Sequence, residues 1–234
     1  MLQLDDLKLD LDGFRLNAAW SVVPGEKLAL IGPSGSGKST LLLAIAGFIT
    51  PQSGRVVYDG KDLTTLLPSE RPVTMLFQDQ NLFPHLTLAQ NLGLGVSANL
   101  RLTQDQHEQV AQALVEVGLA GLGAHRPASL SGGQQSRAAL ARALLRRRPI
   151  LLLDEPFSAL GPAMKSEMLE LVDKVASAAQ STVLMVTHDP RDAVDFADKT
   201  VVFADGVALP PVPTRALFAQ PTDALRAYLG DRAT

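Results

Sequence analysis

Eight consecutive residues, Gly32-Pro33-Ser34-Gly35-Ser36-Gly37-Lys38-Ser39, constrain this chain more than any other stretch, because they satisfy the pattern G-x-x-x-x-G-K-S/T at every fixed position. A phosphate chain is best held by many backbone N–H groups, and glycines let the main chain curl closely enough to aim them. The flanks agree with this reading. Leu28-Ala29-Leu30-Ile31 reads as a short buried strand, and Ser39 to Ala46 reads as a helix whose positive N-terminal end favours an anion. The loop together with Thr40, next in that first helical turn, is therefore the predicted nucleotide cradle. Lys38 is expected to reach the β- and γ-phosphates of ATP or GTP, and the Ser39 hydroxyl to bind Mg²⁺.

The chain of 234 residues suits one α/β domain and is long enough to bury a substantial core. Its apolar runs fall short of the roughly 20 residues of a membrane span, and its first residues, Met1-Leu2-Gln3-Leu4-Asp5-Asp6, lack a basic region followed by an apolar stretch. Cysteine is absent, which excludes disulfides and thiolate metal sites and fits a cytoplasmic setting. A net charge of −3 argues against nucleic acid as a partner. Arg146-Arg147-Arg148, the one basic run, reads as a helix C-terminus, where positive charge is favoured.

Alternation of Leu7, Leu9 and Leu11 with polar residues, a turn at Asp12-Gly13, and renewed alternation at Phe14, Leu16 and Ala18 predict a hairpin. Arg55 to Tyr58 with Asp59-Gly60 reads as a further strand and turn, and Val73 to Phe77 as a core strand. From about Leu86 to Arg148 helical periodicity replaces strand patterns, which predicts an inserted helical subdomain. There Thr103 and Gln106 form a capping box for a helix with an apolar face of Val110, Ala113, Leu114 and Val117. Strands return at Ile150–Leu153, Thr182–Val186 and Thr200–Phe203, the last followed by the turn Asp205-Gly206. Apolar runs separated by helix-length segments indicate parallel strands covered on both faces. Pro210 to Pro213 reads as a connector before a terminal helix near Thr222 to Leu229.

The strand Ile150 to Leu153 ends in Asp154-Glu155. A carboxylate at such an edge can hold Mg²⁺ through its water shell, which is the role predicted for Asp154. Glu155 is placed to orient or deprotonate the water that attacks the γ-phosphate. A third motif, Leu130-Ser131-Gly132-Gly133-Gln134, starts a helix running through Ala138, Leu140, Ala141 and Leu144. Its glycines leave backbone N–H groups open, making a second anion site.

Together the three motifs resemble the ATP-binding-cassette family, whose signature is LSGGQ, over nearly the whole chain. The resemblance implies an α/β fold: a P-loop NTPase core with a mainly parallel sheet, an antiparallel N-terminal β subdomain and the inserted helical subdomain at about 86–148. All of this lies in one ATPase domain, residues 1–234, with no C-terminal regulatory domain. It implies that Ser131, Gly132, Gly133 and Gln134 contact the γ-phosphate held by the opposite subunit, so that a homodimer closes over two ATP molecules. It implies that Gln78 joins the Mg²⁺ and water network and that His188 contacts the γ-phosphate. His85, His107 and His125 lack metal-ligand spacing and carry no assigned chemistry.

Three departures from the family pattern stand out. Ser158-Ala159-Leu160-Gly161 has glycine where relatives carry aspartate, so a carboxylate's contacts between the two ATP sites are missing. Gln134-Gln135-Ser136-Arg137 replaces the usual Arg-Gln-Arg after the first glutamine. The adenine-stacking aromatic, upstream of the phosphate loop in relatives, has candidates in Phe14 and Trp20. Trp20 reads as packing under the sheet and Phe14 is the candidate preferred for stacking, with core packing as its alternative, since aromatics in strands are usually core.

The stretches Ile45 to Pro51, Arg71 to Gln78 and Asn81 to Thr87 are similar to those of bacterial thiamine-importer ATPases. They are similar as well to motors for iron, sulfate, molybdate and polyamines. The resemblance implies a motor on the cytoplasmic face of the bacterial inner membrane that hydrolyses ATP with Mg²⁺ and is partnered by transmembrane permease subunits. A periplasmic solute-binding protein is an indirect partner. Asn81 to Leu88 would line the groove receiving the permease. A non-transport cassette would share the motifs but usually carries paired cassettes, coiled coils or DNA-binding inserts, none visible here. A GTP switch would need an Asn-Lys-x-Asp guanine reader, which the chain lacks.

Overall fold

A computed structural model describes residues 1–11, 13–77, 81–158 and 160–230. In chain order the strands are β1 (Leu2–Leu11), β2 (Phe14–Val22), β3 (Lys27–Ile31), β4 (Ser53–Tyr58), β5 (Lys61–Asp62), β6 (Val73–Leu76), β7 (Ile150–Asp154), β8 (Thr182–Val186), β9 (Lys199–Ala204), β10 (Val207–Ala208) and β11 (Val212–Pro213). The helices are α1 (Lys38–Ala46), α2 (Leu88–Val96), α3 (Gln104–Glu116), α4 (Gly132–Leu145), α5 (Pro162–Ala179), α6 (Pro190–Phe196), α7 (Thr214–Ala219) and α8 (Asp223–Leu229), with a 3₁₀ turn at Pro127–Ser129.

The strands form one sheet in the order β5-β4-β1-β2-β10-β9-β3-β8-β7-β6, with β11 pairing β9 from off this path. Strands β9, β3, β8, β7 and β6 run parallel. Their sequences are continuous apolar runs because both faces are covered. Alternate residues feed two cores: Leu28 and Leu30 of β3 join Leu42, Ile45 and the β1–β2 leucines, while Ala29 and Ile31 join Val172, Phe196 and Leu225. Strands β1 and β2 instead alternate buried and exposed residues, as an antiparallel pair with one solvated face does. Trp20 is buried among them, as predicted. A third apolar cluster gathers Leu88 and Leu92 of α2, Val110 and Leu114 of α3, and Ala138 and Ala141 of α4.

The mixed α/β architecture, with a parallel core beside antiparallel N-terminal strands, matches the expectation from sequence. Strand β10 joins the two parts, pairing parallel to β2 and antiparallel to β9 through the Asp205-Gly206 turn. The Pro-rich connector needs correction: Val212 and Pro213 pair with Thr200 and Lys199 as an edge strand. Proline is tolerated there because an edge position need not donate to the ladder. The run Arg146-Arg147-Arg148 follows the end of α4, with Arg146 as its C-cap. Thr103 and Gln106 make both halves of the predicted capping box, and Thr87 and Gln90 make another that the sequence reading missed.

Arg71 is a charged residue only 2% exposed. Its guanidinium donates to the carbonyls of Ala44 and Ile45 at 2.8 and 2.9 Å, of Thr64 at 2.9 Å and of Leu66 at 3.1 Å. The last turn of α1 is thereby capped from the side by a cation, which also suits the negative end of the helix. Among the described residues no helix is long and apolar enough to cross a membrane.

Candidate functional site

Strand β3 delivers the chain from the middle of the sheet to the loop before α1. Gly37, the N-cap of α1, has φ +94° and no capping side chain, so the first amides of the helix are left for a ligand. A Cβ at Gly37 would sit 2.5 Å from Phe14 Cζ and 2.9 Å from Phe14 Cε1, so only glycine fits. Lys38 Nζ donates to the carbonyls of Gly32 at 2.8 Å and Pro33 at 2.7 Å, and lies 3.4 Å from Ser36 Oγ. The lysine thus curls the loop around its own ammonium. Burial pulls that ammonium's pKa down, against Glu155 and Asp154, which pull it up.

Ser39 Oγ donates to Asp154 Oδ1 at 2.8 Å, so the helix start and the end of β7 meet directly. Burial pushes the Asp154 carboxyl above its ordinary value. The Ser39 hydrogen bond opposes the shift, Glu155 adds to it, and Lys38 opposes it. Glu155 adopts φ +45°, a left-handed conformation that costs a non-glycine residue about 1–3 kcal/mol. Its N–H is held by Val186 O at 3.2 Å, and its Oε2 lies 3.1 Å from His188 Nδ1.

The turn carrying His188 is built from its neighbours. Thr187 Oγ1 donates to Asp192 Oδ2 at 2.6 Å and accepts from Asp189 N at 3.1 Å. Lys165 Nζ of α5 bridges Asp189 Oδ2 at 3.1 Å and Asp192 Oδ1 at 2.8 Å. From the other side Tyr228 Oη donates to His188 O at 2.9 Å. Burial raises the Tyr228 pKa, with Glu155 and Asp189 adding to the effect, so the phenol remains a donor at neutral pH.

These parts enclose a cavity of about 470 Å³. Its walls are Phe14, the loop and helix residues Gly32, Ser34, Gly35, Gly37, Lys38, Ser39 and Thr40, and Glu155, His188 and Tyr228. Its lining combines the glycine-rich start of a helix, one cation, two aromatic rings and a carboxylate–imidazole pair. That chemistry suits a polyphosphate with an aromatic base. Asp154 does not line the cavity but stands behind Ser39. Pro33 and Ser36 contribute through their contacts to Lys38. Gln78 and Ala159 lie outside the described residues.

Ser131, Gly132, Gly133 and Gln134 are elsewhere, at the start of α4. Ser131 Oγ accepts from Gln134 N at 3.3 Å, and Gln134 Oε1 accepts from Ser131 N at 2.9 Å, so the N-cap is a capping box. A Cβ at Gly133 would collide with Met164 Sδ, whereas one at Gly132 meets nothing within 4 Å. The departure at Gln135 has a visible use: its Nε2 donates to Pro127 O at 3.1 Å and Leu130 O at 3.2 Å, tying the 3₁₀ turn to α4. Gly161 is the N-cap of α5 and offers no capping side chain.

Sequence reasoning missed Tyr228, Lys165, Asp189 and Asp192. Asp189 had a local signal, since Asp-Pro at 189–190 is an N-cap followed by proline at N1. Tyr228 had none, because only the tertiary fold returns α8 to the cavity.

Comparison with known proteins agrees with this geometry. A family model described as ABC transporter matches residues 16–158. The thiamine import ATP-binding protein ThiQ of Cereibacter sphaeroides is 62% identical over 98% of this chain and all of its own length. The thiamine import ATP-binding protein ThiQ of a Ruegeria species is 54% identical over the same shares. A solved ATP-binding cassette, a dimer in a post-hydrolysis state bound to ADP and Pi, superposes with a TM-score of 0.80 at 29% identity, over 92% of this chain and 99% of its own.

Proposed function

From the premise that this chain belongs to the ABC transporter family, we propose that it is the ATP-hydrolysing motor of a bacterial thiamine importer. The observation that carries the ATPase reading is the convergence of the phosphate loop, Glu155 and His188 on one cavity. The cargo rests on relatives named for thiamine import at 62% and 54% identity over their full length.

In this reading the amides at the start of α1 and the Lys38 ammonium bind the phosphates, and Phe14, packed on Gly37, stacks on the adenine. Ser39 and Asp154 supply a hydroxyl and a carboxylate 2.8 Å apart, an all-oxygen donor set suited to Mg²⁺. When bound, Mg²⁺ neutralises charge on the β- and γ-phosphates, and Gln78 is the further residue assigned to it. Glu155 orients the attacking water and takes its proton, while His188 Nδ1 holds the Glu155 carboxylate in place. Gly161 supplies no carboxylate between the two ATP sites, so coupling between them falls to other groups.

Ser131 to Gln134 serve the partner copy's ATP, so closure of a homodimer completes both sites. ATP binding then shifts the assembly between two states, and hydrolysis resets it. The helices α2, α3 and α4 form the inserted subdomain within a single cassette domain spanning the chain. The loop at Phe83, half exposed beside Arg142, receives the permease. The protein would sit on the cytoplasmic face of the inner membrane, with a periplasmic binding protein delivering cargo to the permease.

The test is uptake of labelled thiamine by cells that depend on this chain, with Lys38→Ala as the variant. Loss of uptake in the variant supports both ATP-driven transport and the cargo. Equal uptake removes thiamine as the cargo.

A further inference from the structure

Helix α8 returns the end of the described chain to the nucleotide cavity. It packs through Leu225, fully buried, and through Ala224 and Leu229 against the core that also holds β3 and α6 residues. Thr222 caps it, accepting from Leu225 N at 3.4 Å. This anchoring gives Tyr228 a fixed place. Its ring forms part of the cavity wall, and its hydroxyl reaches the carbonyl of the histidine that faces Glu155. The residue lies well beyond 16–158, the part matched by the family model, so nothing in that match assigns it a role.

The peptide after His188 is gripped by side chains from two directions. Lys165 of α5 holds Asp189 and Asp192, fixing the turn from the α6 side. Nothing in that grip fixes the His188 carbonyl itself, and the imidazole is more than half exposed at 59%. The rotamer that brings Nδ1 to Glu155 reaches it only from one backbone position, so a shift or tilt of the His188 peptide carries the ring away from its partner. Among the described residues the Tyr228 hydroxyl is the side-chain group that meets this carbonyl.

We propose that Tyr228 is a positioning residue for ATP hydrolysis: its hydroxyl fixes the His188 peptide so that Nδ1 stays on Glu155 Oε2, and its ring closes the nucleotide cavity. The inference rests on the ATPase reading above. It makes the C-terminal helix part of the catalytic frame and adds no chemical step, since Tyr228 donates one hydrogen bond and no proton is transferred.

The experiment is single-turnover and steady-state hydrolysis of Mg-ATP by the full chain as wild type, Tyr228→Phe, His188→Ala and the double variant, with thermal melting of each. Tyr228→Phe keeps the ring and the packing and removes only the hydroxyl. Loss of one such bond is expected to lower kcat about three- to tenfold while KM for ATP stays within about twofold. The melting temperature should stay near that of wild type. In the His188→Ala background the added Tyr228→Phe change should cost nothing further, because the group it positions is gone. A Tyr228→Phe enzyme that hydrolyses like wild type, or an equal loss with and without His188, overturns the inference and leaves the ATPase reading intact. A wild-type chain that does not hydrolyse ATP overturns the ATPase reading, and this inference with it.

Discussion

His188 Nδ1 stands 3.1 Å from Glu155 Oε2, so the residue after β7 and the turn after β8 meet in the lining of one cavity. The contact gives the carboxylate a fixed direction. Replacing Glu155 by glutamine keeps the shape and removes the ability to take a proton. Hydrolysis of ATP should fall about 10²- to 10⁴-fold while ATP binding persists, and size-exclusion chromatography with ATP should then show a stable dimer. Turnover close to wild type would assign the base to another residue.

Gly37 and Phe14 make a second test. With φ +94° and a Cβ that would meet the Phe14 ring at 2.5 Å, Gly37→Ala must displace the aromatic or distort the start of α1. ATP affinity should drop by about 10- to 100-fold, equivalent to roughly 1.5–3 kcal/mol. Calorimetric titration checks this, and unaltered affinity would mean that the ring is not a fixed wall of the site.

Asp154 links the site to pH. Its carboxyl is pushed above the ordinary range chiefly by burial, so the folded chain binds this proton more tightly than the unfolded chain does. Stability from this group is therefore fully present below its unfolded-state pKa and is lost as pH rises from there through the raised folded value, above which the buried carboxylate is ionised. At neutral pH Asp154→Asn relieves the burden and keeps an acceptor for Ser39. The nucleotide-free variant should melt about 2–4 °C higher, of order 1 kcal/mol, with the advantage shrinking in acid. Its hydrolysis should be largely lost. A lower melting temperature at neutral pH would contradict the sign of the shift.

Arg71 is a matter of stability alone. Removing its guanidinium strands four carbonyls near the end of α1 and the Thr64–Leu66 segment. Arg71→Met should cost about 3 kcal/mol in urea unfolding, with Arg71→Lys intermediate because a point charge reaches fewer of those oxygens. A loss below about 1 kcal/mol would show that water replaces the guanidinium freely.

The parts of the site that sequence revealed are those whose chemistry is local. Glycine spacing from Gly32 to Gly37 and the acid pair after an apolar strand each specify their geometry within a few residues, so they can be read without a fold. The hairpin before them is legible because its period is two and its turn carries glycine. Tyr228 and Lys165 are different: each sits on an ordinary amphipathic helix and acquires meaning only when α8 and α5 pack beside the His188 turn. Arg71 follows Ser69-Glu70 and reads as surface, because no pattern of neighbours announces that a cation will be buried against carbonyls. Strand β11 escaped because its two residues include proline, which argues against a strand everywhere except at an edge.

The grip of Lys38 on the carbonyls of Gly32 and Pro33 has a kinetic meaning. Two hydrogen bonds from within the loop itself hold it in the concave form that a phosphate chain requires. An arriving ATP finds a finished receptacle and need not wait for six residues to search their conformations. Its capture should then run at the speed of diffusion and orientation.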